Sequence, residues 1–169
     1  MSNVNKKNEQ TINQQNPQIS IFIGSDHAGY ELKQQVVKYL NMENYNVVDV
    51  GCDSIESVDY PDYAIIVANN VNNSIKINKK NKGILICGTG SGMAITANKI
   101  GQIRAVNCFT PEMAEMAIKH NDAHILCLGA RILNYDTTIN IIKAFLDSEF
   151  EGVRHQKRID KINAIVSGI

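Results

Sequence analysis

Cys87 ends an apolar run and opens a turn in which glycine alternates with Thr and Ser: residues 83–96 read GILICGTGSGMAIT. A glycine-rich turn between a buried strand and a helix gathers backbone N–H groups, and the helix dipole adds to their pull on negative charge. Which anion is held is narrowed by what the turn lacks. A nucleoside-triphosphate loop ends in Gly-Lys-Ser/Thr, and no lysine lies between Lys82 and Lys99. A dinucleotide loop reads G-x-G-x-x-G after the first strand; this one reads G-x-G-x-G, follows a later apolar run and continues into Met93. A cysteine phosphatase closes its loop with an arginine, and Met93 holds that position. What remains is an anion made during the reaction. A thiol beside a helix N-terminus ionises readily. Such a thiolate could take a carbon-bound proton while Gly88, Thr89, Gly90, Ser91 and Gly92 hold the resulting enediolate through their N–H groups. The plainer alternative is a thiol that merely ends a buried strand, like Cys127. The loop favours the functional reading.

Other polar groups gather at comparable places. SDHAG (25–29) follows the first apolar run, which brings Asp26 and His27 to the same sheet edge as Cys87. Asp26 alone could equally cap the next helix. DYPDY (59–63) sets Tyr60 at a helix start, where a plain surface tyrosine is an equal reading. In HNDAH (120–124) the two histidines do not share a helix face, because a strand begins at His124, and no third ligand stands at metal-binding spacing; no metal is expected. His120 and Asn121, at a helix end, could supply an acid/base and an amide donor. GVRHQKRID (152–160) places Arg154 and Arg158 one helical turn apart. Paired guanidinium groups suit a phosphate, although a solvated basic face is the plain alternative. Arg131, in LGAR, could join them.

These residues need elements to position them. Apolar runs at 19–24, 45–51, 82–87, 103–109 and 124–129 alternate with helical patterns. Leu32, Val36 and Leu40 mark the first helix; YPDYAIIVANNVNNSI forms the second, with Pro61 in its first turn. The third runs to about Lys99, the fourth from the Thr110-Pro111 start to about Lys119, the fifth from about Tyr135 to Leu146, and the last from His155 to Val166. Nearly all-apolar strands alternating with helices predict an α/β fold, a doubly wound five-stranded parallel sheet with helices on both faces. NKKNK (78–82) reads as a solvated loop. Ligands of such sheets bind beyond the carboxyl ends of the strands. His120 precedes its strand and so belongs to the opposite edge from Cys87. If both serve one reaction, a second subunit donates His120.

The whole chain sets bounds on function. Its 169 residues suffice for one domain, here 19–169, after a polar extension at 1–18 rich in Asn and Gln and expected to be disordered. Seventeen basic residues balance seventeen acidic ones, so net charge calls for neither nucleic acid nor an anionic membrane. No apolar run approaches a bilayer span. The first residues lack a secretory core segment, and the four cysteines form no C-x-x-C pair, so reduced thiols and a cytoplasmic location are expected.

The ordered set SDHAG, DYPDYA, GILICGTGSG, ANK, IRAV, HNDAHIL, LGAR and RHQKRID, spread from Ile19 to Ile165, resembles the B-type ribose-5-phosphate isomerases and the related galactose-6-phosphate isomerase subunits. The resemblance implies aldose–ketose isomerisation of a phosphorylated pentose, a step of the pentose phosphate pathway, without metal or organic cofactor. By that likeness Cys87 is the base that moves a proton between C1 and C2, and Gly88 to Gly92 hold the enediolate with help from Asn121. His120, with Thr89, opens the furanose ring. Asp26, His27 and Tyr60 contact the sugar, and Arg131, Arg154 and Arg158 the phosphate. It also implies a homodimer or tetramer with sites between subunits. Members that lack the cysteine use a glutamate after the last loop glycine; Met93 stands there, so this chain is of the cysteine type. The extension 1–18 and the lysine-rich 76–82 region depart from the pattern, and Ser91 replaces a commonly apolar residue. The rivals are a hexose-6-phosphate isomerase (allose or galactose 6-phosphate) and a non-catalytic sugar-phosphate binder.

Overall fold

The computed structural model describes residues 18–166. Five strands, β1 (Ser20–Ser25), β2 (Asn46–Asp49), β3 (Lys82–Cys87), β4 (Ala105–Asn107) and β5 (Ile125–Gly129), form one sheet in the order β2-β1-β3-β5-β4. Every pairing is parallel. The helices are α1 (Tyr30–Met42), α2 (Tyr60–Ser74), α3 (Ser91–Ala97), α4 (Pro111–Asn121), α5 (Tyr135–Asp147) and α6 (Gln156–Val166).

The apolar strands are buried on both faces because alternate residues feed two cores. Ile84, Ile86, Leu126 and Leu128 pack with Val36, Ile118 and Phe145 of α1, α4 and α5. Leu85, Cys87, Ile125 and Cys127 pack with Val67, Val71 and Met93 of α2 and α3. The doubly wound expectation therefore holds. Strand order reverses between β1 and β3, and the crevice at such a switch point is where an open parallel sheet takes ligands.

The differences lie at the edges of the sheet. Residues 103–109 shrink to the three-residue β4, and 45–51 to the four-residue β2, because each pairs on one side only. Lys82 does not belong to a solvated loop. It opens β3, its Nζ donates to Ala123 O at 2.9 Å, and burial lowers its pKa. Of the expected polar extension, residues 1–17 lie outside the described residues, while Gln18 Nε2 donates to Asn44 O at 2.7 Å. No helix among the described residues is long and apolar enough to cross a membrane.

Candidate active site

Cys87 closes β3 and is 5 % exposed. The chain then turns so that the Gly90 N–H donates to Cys87 Sγ at 3.1 Å. That turn requires glycine: Gly90 has φ +81°, and a Cβ there would lie 2.3 Å from Asn107 Oδ1. Two neighbouring thiols are held protonated. Burial pushes Cys108 up to about 11 and Cys127, helped by the adjacent Cys87 and Cys108, well above its ordinary value. Met93, in the place of the alternative glutamate, is fully buried in the core.

Tyr60 and Arg131 lie against the turn. A Cβ on Gly92 would fall 2.6 Å from Tyr60 Cζ, so the tyrosine ring lies directly on the turn. A Cβ on Gly88 would touch the Arg131 side chain at 3.4 Å, and the Arg131 N–H donates to Gly88 O at 3.0 Å. Asp26 and His27 follow β1 at this edge, and the Asp26 N–H donates to Ile86 O at 3.2 Å. Asp26 Oδ1 accepts the Gly29 N–H at 3.0 Å, which closes a turn ahead of α1; Gly29 is the N-cap and α1 has no side-chain cap, so Asp26 does not cap it. His27 Nδ1 accepts the Val58 N–H at 3.2 Å. Lys33, 1 % exposed, donates from Nζ to both Asp49 oxygens at 2.7 and 2.6 Å and also to Gly51 O. Thus the segment leading to Tyr60 is anchored at Gly51 and again at Val58.

His120 and Asn121 sit elsewhere, in the last turn of α4, which ends in the left-handed Asp122 (φ 43°). Cys87 pairs with Gly129 at one end of β5, whereas Ile125 opens the other end, just after this turn. The length of β5, about 13 Å at ~3.3 Å per residue, separates the two edges. Arg104 clamps the turn: Nε donates to Asn121 O at 2.7 Å and Nη2 to Asp122 Oδ2 at 2.9 Å. Its Nη2 also meets His124 Nε2 at 2.9 Å, so His124 is a structural histidine, and burial, then Arg104 and Lys82, push it down to about 3.

His155 stacks on His120 with centroids 4.3 Å apart and planes 5° from parallel. Arg154 Nε donates to His155 Nε2 at 3.0 Å, which places the imidazole proton on Nδ1. Burial, then His120, Arg154 and Arg158, lower the His155 pKa, against a raising influence from Glu151. His120, Glu151 and His155 bring ligand-type atoms within 4.8 Å of one another. Stacked rings direct their lone pairs along parallel planes, however, and Arg154 occupies Nε2; as arranged, the group suits proton handling, not a shared ion.

The candidate residues therefore fall at two opposite edges of the sheet. Asp26, His27, Tyr60, Cys87 to Gly92 and Arg131 lie at the carboxyl edge; His120, Asn121, Arg154 and Arg158 lie at the other. Sequence reasoning had no role for His155, Asn107, Arg104 or Lys33. Asn107 alone left a signal, a polar residue ending an apolar strand at the carboxyl edge. Ser91, unexplained in the sequence, accepts from Asn107 Nδ2 at 3.1 Å.

The model of the family described as Ribose/Galactose Isomerase matches residues 21–162. The chain belongs to the ribose/galactose isomerase family. The ribose-5-phosphate isomerase B of Escherichia coli (strain K12) is 41% identical over 145 residues, covering 86% of this chain and 95% of that protein. The ribose-5-phosphate isomerase B structure from Clostridium thermocellum superposes with a TM-score of 0.83 at 43% identity, covering 89% of this chain and 99% of that one. The Mycoplasma genitalium ribose-5-phosphate isomerase B, solved with bound ribulose-5-phosphate, gives a TM-score of 0.83 at 39% identity, covering 89% and 98%. As a ribose/galactose isomerase, this chain is an enzyme, and its site is to be read as one for aldose–ketose chemistry.

Proposed function

We propose that the protein interconverts ribose 5-phosphate and ribulose 5-phosphate, with Cys87 as the base and the active site completed by a second copy of the chain. The observation that carries this reading is the Gly90 N–H donating to Cys87 Sγ at 3.1 Å, which sets the thiol within a glycine-rich turn suited to hold an anion. His120 of the second copy opens the furanose ring with Thr89. The Cys87 thiolate removes the C2 proton, the C2–H electron pair becomes the C1–C2 double bond, and the C1 carbonyl π pair moves onto O1, giving an enediolate. Turn N–H groups and the second copy's Asn121 amide hold its oxygens. The Cys87 thiol then returns the proton to C1 while the hydroxyl proton passes from O2 to O1. Asp26, His27 and Tyr60 orient the sugar; Arg131, with Arg154 and Arg158 of the second copy, binds the phosphate.

Beside His155 an apolar strip awaits cover: Val153, Ile162 and Ile165 are 86, 44 and 75 % exposed, and Val153 is held at φ 42°, strained for a β-branched residue. A homodimer, or a tetramer of such dimers, buries it. Four unpaired cysteines, all buried, suit a reducing cytoplasm. The test is turnover of ribose 5-phosphate by the purified protein beside Cys87→Ala, with chelator present. Activity that survives chelator and falls at least about 100-fold in the variant is expected. Robust turnover in the variant would move the base elsewhere. An inactive, folded wild type would shift the substrate to a six-carbon phosphate.

A further inference from the structure

The Thr89–Gly90 peptide is held at both ends. Its N–H, on Gly90, points at Cys87 Sγ, and its carbonyl, on Thr89, accepts from Asn107 Nδ2 at 3.1 Å. In a trans peptide these two groups point in opposite directions, so fixing one fixes the other. We propose that Asn107 is the positioning residue of the catalytic turn: by holding the Thr89 carbonyl it keeps the Gly90 N–H aimed at Cys87.

Several details support this. Glycine at φ +81° rotates its flanking peptide at little cost, so the turn needs an external brace. Asn107 ends β4 and reaches across from a different element, donating also to Ser91 Oγ at 3.1 Å. Its orientation is unambiguous: Thr89 O can only accept, so Nδ2 must face it. The other end of the amide is then shut from solvent, with no hydrogen-bond partner for Oδ1. That oxygen rests against Gly90, where a Cβ would lie 2.3 Å away. An orphaned buried oxygen is unfavourable, and the side chain tolerates it while making two bonds to the turn.

The inference rests on the reading of Cys87 as the base, and the experiment separates the two. Asn107→Asp keeps the shape but presents oxygens to Thr89 O; Asn107→Ala removes the brace. Ionised thiol is measured as ultraviolet thiolate absorbance at fixed pH, each variant against the same variant carrying Cys87→Ala. Both Asn107 variants should lose thiolate signal and about tenfold or more in kcat, with KM nearly unchanged. Unchanged thiolate absorbance in folded Asn107→Asp overturns the proposal, whether or not turnover falls. If Cys87→Ala alone retained turnover, the base would be misassigned, a result independent of the absorbance comparison.

Discussion

Mixing two dead enzymes should restore activity. Cys87 and His120 lie at opposite edges of the sheet, separated by the about 13 Å of β5. An acid and a base serving adjacent atoms of one sugar must each come within about 3 Å of them, which one chain does not allow. In a twofold dimer each site takes Cys87 from one chain and His120 from the other. Cys87→Ala and His120→Ala homodimers each lack one group in both sites. A hybrid of the two has one site with both groups intact and one with neither. Random exchange at equal concentrations makes about half the dimers hybrid, so activity per protomer should reach about one quarter of wild type. A tetramer built from such dimers gives the same fraction. The assay is ribulose 5-phosphate formation after equilibrating the two variants, with exchange followed by native mass spectrometry. Hybrids present in the expected proportion, yet activity no greater than the mean of the parents, would refute the shared site.

Two predictions concern stability. His124, 7 % exposed, is pushed from its ordinary 6.5 down to about 3, so the unfolded chain binds the extra proton between those values; stability fully present above about pH 6.5 falls as pH drops through this window by about 1.4 kcal/mol per unit. Denaturant unfolding at pH 7 and 5 should show that slope lessened in His124→Gln, and equal slopes would contradict it. Lys33→Met removes the cation facing Asp49, whose side chain keeps 33% of its exposure; water there softens the loss to about 2 kcal/mol, below that of a fully buried pair. The unfolding midpoint should fall and KM rise as the segment leading to Tyr60 loosens, whereas an unchanged midpoint would deny Lys33 its anchoring role.

How much was legible depended on whether the cause was local. The β3 and β5 runs show their double burial directly, since every residue from Ile84 to Cys87 and from Ile125 to Gly129 is buried. The turn after Cys87 declared itself through glycines that no other arrangement needs. Asp26 and His27 were placed by following β1 to its carboxyl end, and Tyr60 by its helix start. What escaped was contact across elements. Neither the Lys33–Asp49 pair, sixteen residues apart, nor the Asn107–Thr89 bond, eighteen apart, has any period or spacing to betray it. The burial of Lys33 follows from a carboxylate at the end of β2 that only the parallel register with β1 brings within reach.

The His120–His155 stack shows why the second half-site was the harder to read. In sequence, His155 is one member of a basic run whose plain reading is a solvated face. In space, the Glu151 N–H donates to Lys119 O at 3.1 Å, fastening the α5–α6 connection to the end of α4 and laying His155 on His120. That one fastening also carries Arg154 and Arg158 to the edge where His120 stands. His120, Arg154 and Arg158 thus share one corner, opposite the edge that holds Cys87. In the proposed shared site, one docking event brings that corner of a second copy to Cys87.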